Sequence, residues 1–372
     1  MERKLVSVQK IVNIKPIEGA DKIEVAQVEG FEVIIAKADK HKVGELIVYC
    51  ECDTILPQKP EFEFLRERKF RIRIIKLRGQ VSEGIVFPLS ILPKGKYKEG
   101  QDLTELIGAT KYDPQLAAEL KEQERLSNLK KGRLNKFLRR YKWYRKLVFK
   151  PSKFPFPEWI TKTDELRGQN LKWDELYEWN KDVSFEVTEK VDGQSGTWAV
   201  RKNKHPLWYK FGKDKYSFVV CSRNFQIVKK DNSSYWTIAE KYDIKKKLIN
   251  MLIKDNLNTI VLQGEILGPG IQKNKYKFKE YELLSFNLKF DNTKLNYYKI
   301  SSYLTPINIK LVPLAEETLL KLKPTIREMV EYSKGNSMEN KDMPREGVVI
   351  RNYEKHISFK VINPDFLLKY GE

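Results

Sequence analysis

The chain has 372 residues, of which 41% are hydrophobic and 12% aromatic, so it is long enough for two domains and too apolar to be generally disordered. Its 70 lysine and arginine residues outnumber 50 aspartate and glutamate residues, and the formal charge of +20 favours a polyanionic partner such as nucleic acid or an anionic membrane. The three cysteines and three histidines lack the number and spacing of a zinc site, and no stretch is apolar for long enough to span a membrane.

Residues 1–110 contain short strand-like runs separated by turns. The clearest alternation places Ile23, Val25 and Val28 before a turn at Gly30, and further runs are ELIVYC, FRIRIIKL and GIVFPL. About five or six short strands within one such segment are typical of a small β-barrel, of which the OB-fold is the common nucleic-acid-binding form. A sandwich of unrelated function would show the same pattern.

Residues 111–156 predict a basic helical linker. Between Lys130 and Lys150 there are ten basic residues and no acidic one, with aromatic residues interleaved. This composition suits the neutralisation of phosphates and the stacking of bases, although a solvated helix docked by its aromatic face would look similar. The proline-rich KPSKFPFPEW then ends the helical pattern.

Residues 157–372 mix strand-like runs with helical stretches near 236–255 and 315–333. The runs are SFEVTEKV, SGTWAV, SFVVCS, TIVLQGEIL, YELLSFNLKF, GVVIRNY and HISFKVI. Strands separated by helices and hairpins predict an α+β domain whose sheet is largely antiparallel.

The sequence EKVDGQSG, at the end of the first of these strands, contains Lys190, Asp192 and Gly193. A lysine amine attacks a phosphoryl group only after it has lost its proton, so a nucleophilic lysine needs cationic groups or a metal nearby. Gly193 allows the backbone to turn sharply beside a nucleotide. Alone the motif is weak, because a strand that ends in a charged turn would look the same in a lysine-rich chain.

Further motifs follow in a fixed order at strand ends and turns. They supply Arg223 in CSRN, Glu265 in LQGEIL, Phe286 in LLSFNL, Glu346 in REGVVI and Lys360 in ISFKVI. This series resembles the covalent nucleotidyltransferase superfamily of polynucleotide ligases and capping enzymes. The stretches VNIKPIEGADKIEVAQVEGFEVIIAK, FPEWITKTDELRGQN and GEILGPGIQKNKY resemble ATP-dependent RNA ligases with an N-terminal OB domain. That resemblance implies an OB-type barrel followed by an adenylyltransferase domain.

The resemblance also implies roles for the residues that match its motifs. Lys190 would attack the α-phosphorus of ATP and hold AMP, Phe286 would stack on adenine, and Glu265 and Arg223 would hold the ribose or the RNA end. Glu346, with Asp192, would orient Mg²⁺ or Mn²⁺ through water.

The remaining implied roles concern charge around the phosphates. Lys360 would neutralise the α-phosphate, and Glu189, next to the nucleophile, would belong to the ATP site. Lys162 and Arg167 are predicted contacts to the pyrophosphate or the RNA. Ser358 stands where some members of the superfamily have a lysine, which leaves part of that motif's electrostatic role open.

We therefore expect an ATP-dependent RNA ligase that seals 5′-phosphate and 3′-hydroxyl RNA ends, and nicks in duplexes in particular. An mRNA capping guanylyltransferase or a DNA ligase is the alternative from the same superfamily, but both normally continue past the last motif into a C-terminal OB domain. A non-catalytic RNA-binding protein would leave the lysine, glutamate and arginine motifs unexplained. We expect the OB domain and the linker to serve RNA engagement more than adenylation.

The N-terminus and the cysteines indicate the cellular compartment of the protein. The first residues contain no apolar stretch typical of a secretion signal, and Cys50, Cys52 and Cys221 are expected to be reduced. Both features predict an intracellular, cytoplasmic type of protein that is neither secreted nor inserted in a membrane.

Overall fold

The computed structural model describes residues 4–112, 153–163, 165–203, 214–228, 233–315 and 319–370. The chain divides into two compact units. Unit 1 comprises Met1–Tyr112, Glu165–Lys190 and Pro313–Glu372, and unit 2 comprises Asp113–Asp164 and Val191–Val312. Residues 113–152 of the predicted basic linker lie outside the described residues. The predicted division of the chain at residues 110 and 156 therefore stays a prediction.

The first 112 residues form short strands, as their alternation predicts. The strands are β1 (Val6–Pro16), β2 (Ile23–Val28), β3 (Phe31–Ala36), β4 (Leu46–Glu51), β5 (Thr54–Ile55), β6 (Ile75–Leu77), β7 (Gln80–Ser82), β8 (Gly84–Pro88) and β9 (Thr110–Lys111). A 3₁₀ helix covers Pro60–Arg68, and the short helix α1 covers Thr104–Ile107. Only the last three residues of the run FRIRIIKL form a strand, because Phe70 has a φ of 58° and its N–H donates to Leu65 at the end of the 3₁₀ helix.

Five of these strands form an antiparallel sheet in the order β3-β2-β1-β4-β8. Hydrogen bonds join the segment that leads into β8 to the opposite edge. The Glu83 N–H donates to the Glu32 carbonyl at 2.8 Å, and the Ile34 N–H donates to Ser82 Oγ at 3.0 Å. The sheet thus curls on itself, which confirms the predicted OB-type barrel.

The remaining elements follow in chain order. The strands are β10 (Lys153–Pro155), β11 (Leu166–Arg167), β12 (Ser184–Lys190), β13 (Gln194–Lys202), β14 (Tyr216–Ser222), β15 (Phe225–Ile227), β16 (Thr259–Leu267), β17 (Glu282–Phe290), β18 (Thr293–Lys294), β19 (Lys310–Leu311), β20 (Leu320–Lys321), β21 (Gly347–Asn352) and β22 (Ile357–Ile362). The helices are α2 (Trp173–Asn180), α3 (Ser234–Lys241), α4 (Ile244–Lys254), α5 (Tyr297–Leu304), α6 (Ile326–Ser333) and α7 (Pro364–Tyr370).

A second sheet of unit 1 has the order β11-β22-β21-β12-β20, and all its pairs are antiparallel except β11 with β22. One face of it is apolar and buried against α2 and α6. Residues of this core include Phe185 and Val187 of β12, Val348 and Ile350 of β21, and Phe359 of β22. Every second residue of these strands therefore lies on the opposite face.

Unit 2 is built on a sheet with the order β10-β15-β14-β13-β16-β17-β18, to which β19 adds beside β17. The helices α3, α4 and α5 cover one face, where Trp198, Leu262 and Leu288 are fully buried. The other face packs on the segment after β10 through Phe156 and Ile160. The predicted α+β architecture with a largely antiparallel sheet is confirmed.

The two predicted helical stretches have different outcomes. The stretch near 236–255 forms α3 and α4, separated at Asp243, whose φ is 46°. The helix predicted near 315–333 is wrong in its first part, because Leu320–Lys321 is a strand and α6 begins only at Ile326. Pro324 disfavours helix in the residue before it, and Thr325 caps α6 by accepting the Glu328 N–H at 3.2 Å.

The cysteines are free thiols, of which Cys50 and Cys221 are buried and Cys52 is half-buried. Among the helices that the structure describes, none has the length and apolar character needed to cross a membrane.

Candidate active site

The face of the second sheet of unit 1 that lies away from its apolar core carries the lysines singled out in the sequence. Side chains alternate between the two faces along β12. Val187 points into the core, so Thr188 and Lys190 lie on the other face of the sheet. Thr188 pairs with Val349, which in turn pairs with Lys360. Directly paired residues share a face, so Lys190 and Lys360 lie on the same side of the sheet, two strands apart.

Glu346 completes this cluster. It directly precedes β21, whose first residue is the register partner of Lys190. Lys190 Nζ lies 2.6 Å from each carboxylate oxygen of Glu346, and the two side chains are 23% and 15% exposed. The structure therefore brings the predicted nucleophile and the predicted metal-orienting carboxylate into one ion pair.

The backbone around Glu346 is held by three neighbours. Gly347 has a φ of 153°, and a Cβ there would lie 2.2 Å from the Val361 carbonyl oxygen, so only glycine fits. Arg345 donates to three carbonyl oxygens at the C-terminal end of α6, at 2.8 to 2.9 Å. The Asn363 N–H donates to the Glu346 carbonyl at 2.9 Å. Sequence reasoning missed Arg345 and Asn363, although both directly flank predicted motif strands.

Glu189 is directed differently from Lys190. It is 2% exposed, and its carboxylate accepts the Met338 N–H at 2.8 Å. Burial raises the pKa of this carboxyl, whereas the bonds from Ser337 and Met338 oppose the shift. The residue before the nucleophile thus anchors the segment before β21 to β12, and its assignment to the ATP site stays a prediction.

Ser358 and Arg351 face each other across β22 and β21. Two residues along β22 from Lys360, Ser358 lies on the same face of the sheet. Arg351 is 7% exposed, forms an ion pair with Glu165 at 3.5 Å and contacts Thr188 Oγ1 at 3.4 Å. The place where some superfamily members have a lysine is thus adjacent to a buried arginine.

Arg167 lies on β11, where its register partner is Lys360. Its guanidinium donates to the carboxylate of Glu83 from the OB barrel. Burial by itself would lower the pKa of Arg167, but the charge of Glu83 more than offsets this, so the pKa is raised above its usual value. Arg167 is therefore placed next to the lysine cluster as a permanent cation.

In unit 2, Asp192 follows Lys190 by two residues. Its carboxylate forms an ion pair with Lys275, and its N–H donates to Tyr276 Oη at 3.0 Å. A Cβ on Gly193 would lie 2.7 Å from the Ile266 carbonyl oxygen, so glycine is needed here for close packing on β16. Lys275 and Tyr276 belong to the stretch GEILGPGIQKNKY, but their contacts to Asp192 were not predicted.

Glu265 and Phe286 lie on the neighbouring strands β16 and β17. Glu265 shares a face of β16 with the fully buried Gln263. Phe286 is the extra residue of a β-bulge, because its neighbours Ser285 and Asn287 pair with consecutive residues of β16. Bulges redirect a side chain out of the regular alternation, so Phe286 departs from the face pattern of its strand. Its stacking on adenine stays a prediction.

Two further predicted residues lie at the surface of unit 2. Arg223 is exposed in the bend between β14 and β15. Lys162 is exposed after β10, with Nζ 5.8 Å from the centre of the Phe156 ring. The contacts predicted for them with the nucleotide or the RNA stay predictions.

The carboxylates of the site suit a hard divalent cation. Among the residues that the structure describes, no three His, Cys, Asp or Glu side chains come together as a metal site. The predicted water-mediated role of Glu346 stays a prediction.

Comparisons with known proteins place these residues in context. A model of the RNA ligase family matches residues 183–370, and a model of an OB-fold domain matches residues 5–89. No curated protein matches the chain.

Among solved structures, an RNA ligase of Naegleria gruberi is similar over the whole chain. A variant of it with AMP and manganese is 27% identical, with a TM-score of 0.67 and 99% of each chain covered. A variant with ATP and manganese is 27% identical, with a TM-score of 0.67 and coverage of 98% of this chain and 99% of that one. The ligase with pyrophosphate is 28% identical, with a TM-score of 0.67 and 99% of each chain covered.

Proposed function

The chain belongs to the RNA ligase family, and we propose that it joins RNA ends with ATP through a covalent lysyl-AMP intermediate on Lys190. The observation that carries the proposal is the contact of Lys190 with Glu346 on the sheet face that also holds Lys360. A nucleophile, a carboxylate and a second cation on one rigid sheet suit phosphoryl-group chemistry, which depends on positioning and charge.

In the first step, Lys190 Nζ attacks the α-phosphorus of ATP. The nitrogen–phosphorus bond forms, the bond to the pyrophosphate oxygen breaks, and the Nζ proton leaves to water or along the contact with Glu346. Lys360, on the same face, stabilises the negative charge that develops on the α-phosphate oxygens.

The next two steps transfer the AMP and close the break. The 5′-phosphate of one RNA end attacks the phosphorus of lysyl-AMP and releases Lys190. The 3′-hydroxyl of the other end then attacks the activated 5′-phosphate and expels AMP, so one phosphodiester bond forms for each ATP consumed.

Three residues of unit 2 would bind the adenosine part of the nucleotide or the RNA end. Phe286 would stack on adenine from its bulge, and Glu265 and Arg223 would hold the ribose or the RNA end. Lys162 and Arg167 are the proposed cations for the pyrophosphate or the RNA. The solved structures of the Naegleria ligase with ATP, AMP and pyrophosphate support a nucleotide of this type.

Mg²⁺ or Mn²⁺ is the proposed metal, held by Glu346 and Asp192 through water. When bound, such an ion would offset the charge of the phosphates and weaken the hold of Glu346 on the Lys190 ammonium. The Naegleria ligase structures that contain manganese support this choice.

The proposed substrate is an RNA break with a 5′-phosphate and a 3′-hydroxyl, held as a nick in a duplex. The formal charge of +20 favours a polyanionic partner, and the OB-fold is a common nucleic-acid-binding module. The RNA ligase family match supports RNA rather than DNA as the partner.

The test is incubation of the full chain with α-³²P-labelled ATP and a divalent metal, followed by denaturing electrophoresis. We expect label on the wild type and on Lys181→Ala, which removes an exposed lysine of the same unit, and no label on Lys190→Ala. Label from GTP but not ATP would indicate a capping guanylyltransferase. Failure of the wild type to take any label would indicate a non-catalytic RNA-binding protein.

A further inference from the structure

A cavity of about 790 Å³ lies along one edge of the sheet of unit 2. Residues from both faces of β14 line it, with Phe218 on the face that the helices cover and Val219 on the other. The cavity therefore follows the edge of the strand and not one face of the sheet. Its volume is within the range of about 300–1,000 Å³ that is typical of ligand sites. None of the described residues that line it has a role in the proposed catalysis or nucleotide binding.

Strand β14 has a free edge over most of its length. On one side, all seven of its residues pair with β13. On the other side, β15 pairs with it only at Cys221. Within the described part of the chain, residues Tyr216 to Val219 thus have no strand beside them on that second side.

The register shows which backbone groups face this free edge. Just beyond the end of β13, the Asn203 N–H donates to the carbonyl of Lys215 at 3.0 Å. Hydrogen-bonded and non-hydrogen-bonded pairs alternate along an antiparallel ladder, so the backbone groups of Ser217 point toward β13. Those of Tyr216 and Phe218 point away from it. These two residues therefore offer N–H and C=O groups to a further strand.

The sequence of this edge does not protect it from such pairing. Natural edge strands are commonly protected by charged side chains, by proline or by a bulge. The stretch YSFVVCS of β14 contains no charged residue and no proline, and all its pairs with β13 are in regular register. Aromatic and β-branched residues such as those of this stretch favour an extended backbone. The edge is therefore a template for an added strand.

Helix α3 forms the wall of the cavity opposite this edge. Trp236, Ala239 and Glu240 are spaced i, i+3 and i+4, so they lie on one face of the helix, and all three line the cavity. Trp236 meets Phe218 of β14 edge to face, with ring centres 5.9 Å apart. A free strand edge supplies main-chain hydrogen bonds to an extended peptide, and pockets beside the edge select its alternate side chains.

The charge of the lining indicates which peptide fits. Among the described residues, the charged side chains that line the cavity are Lys245 and three carboxylates, those of Asp214, Glu240 and Asp243. All four residues are exposed, and their excess of negative charge contrasts with the formal charge of +20 of the whole chain. Such a lining attracts lysine and arginine side chains and repels a polyanion such as RNA.

We propose that the edge of β14 and the adjoining face of α3 bind an extended, basic segment of a partner protein, which adds a strand beside β14. The backbone of the segment bonds to Tyr216 and Phe218. An apolar side chain of the segment packs on Trp236, and its lysine or arginine side chains lie beside the carboxylates of the lining. The site is outside the proposed catalytic residues, so the proposal does not depend on the ligase function.

The experiment measures fluorescence anisotropy as the full chain is titrated into a labelled peptide. The peptide has seven residues and alternates lysine or arginine with valine or phenylalanine. Two control peptides have the same length, one with glutamate in place of every basic residue and one with a methyl group on every backbone nitrogen. We expect saturable binding of the basic peptide with a Kd below about 1 mM, and binding at least about tenfold weaker for both controls, because one lacks the charge and the other the donors.

Two variants test the backbone contact. Tyr216→Pro removes one outward N–H at the first residue of β14, a position where a strand tolerates proline. Tyr216→Ala is the matched control, because it removes the same side chain and keeps the N–H. We expect Tyr216→Pro to bind the basic peptide about fivefold more weakly than Tyr216→Ala, the effect of one lost hydrogen bond. Circular dichroism checks that both variants fold.

Two further variants test the charge, and they also serve if Tyr216→Pro does not fold. Glu240→Lys should weaken the binding of the basic peptide and strengthen that of the glutamate peptide. Glu158→Lys makes the same change at an exposed carboxylate of unit 2 that does not line the cavity, so it should bind both peptides as the wild type does.

Several results would overturn the proposal. They include no saturable binding of the basic peptide, equal affinity for either control peptide, and equal binding by Glu240→Lys and the wild type. Displacement of the peptide by a seven-nucleotide RNA, lost in Glu240→Lys, would assign the cavity to nucleic acid. A dimer in sedimentation that Tyr216→Pro dissociates and Tyr216→Ala does not would assign the edge to a second copy of the chain.

Discussion

Lys190 Nζ lies 2.6 Å from both carboxylate oxygens of Glu346, a residue 156 positions later in the chain. The contact ties Lys190, the proposed nucleophile, to the sheet and gives its ammonium form a partner. The proposed attack on phosphorus requires the neutral amine, so the proposal requires this contact to weaken when the nucleotide and its metal bind. Glu346 therefore holds Lys190 in position, and under the proposed function it also affects the reactivity of the amine.

The first prediction concerns the nucleophile. Lys190→Ala should abolish lysyl-AMP, and Lys190→Arg should abolish it as well, because a guanidinium does not lose its proton near neutral pH. Gel labelling with α-³²P-ATP measures both variants, and circular dichroism checks that they fold. A labelled band in either variant would place the nucleophile elsewhere.

The second prediction concerns the charges around Lys190. Lys360→Ala should slow adenylation about 100-fold, because it removes a cation placed where negative charge develops. Glu346→Ala should abolish adenylation or raise the concentration of metal that it needs. Single-turnover labelling across a manganese titration separates the two effects. Wild-type rates in both variants would refute the roles assigned to the residues after 340.

The third prediction concerns the turn after the nucleophile. Tyr276 is 7% exposed and accepts the Asp192 N–H, so Tyr276→Phe leaves that donor without its partner at little change in shape. A lost hydrogen bond of this kind costs on the order of 1 kcal/mol, or about fivefold in rate if the turn has to be ordered for attack. Tyr242→Phe, which removes a 2.6 Å bond to Glu282 in the same unit, is the matched control and should adenylate normally. Equal rates for Tyr276→Phe and the wild type would show that this bond is dispensable.

The fourth prediction concerns pH and stability. Burial, with a smaller contribution from the charge of Glu51, raises the pKa of Glu29 from 4.5 to about 7. The folded state then holds this proton more tightly than the unfolded state. The Glu29 carboxyl therefore does not lower the free energy of unfolding below pH 4.5, and it lowers that free energy increasingly as the pH rises from 4.5 to about 7. Glu29→Gln removes the ionisation and should raise Tm by a few degrees at pH 8 but not at pH 4.

Thermal melts of Glu29→Gln at the two pH values provide this measurement. Glu18→Gln, which neutralises an exposed glutamate of the same barrel, is the control and should shift Tm little at either pH. A gain in Tm that is equal at both pH values would show that the effect does not come from ionisation.

The fifth prediction concerns the substrate. Proteins distinguish A-form RNA from DNA by shape and by contacts to the 2′-hydroxyl. We expect sealing of a duplex nick to require ribose on the 3′-hydroxyl side and to tolerate DNA on the 5′-phosphate side. Nicked duplexes with RNA or DNA on each side measure this requirement. Efficient sealing of an all-DNA nick would favour a DNA ligase, and a preference for unpaired RNA ends would reject the nick as substrate.

Local pattern in the sequence was enough to locate most of the longer strands and the motif residues. The strand-like runs SFEVTEK, GVVIRN and ISFKVI predicted β12, β21 and β22, because short runs rich in β-branched and aromatic residues favour strands. The order of the motifs predicted the family. The sequence also contains the signals for the start of α6, since Pro324 disfavours helix before it and Thr325 is a typical N-cap. The prediction missed them because the residues before Pro324 are good helix formers.

Tertiary structure alone decided which of these residues meet. The contact of Lys190 with Glu346 depends on the register of β12 against β21, and the alternation within a strand does not specify its partner or its register. The same holds for Arg167 and Glu83, which are 84 positions apart and meet only because the OB barrel packs on β11. Such pairs form when whole surfaces are buried on folding, and many distant residues each contribute a small part of the free energy of that burial. No short run of sequence therefore specifies which residues meet.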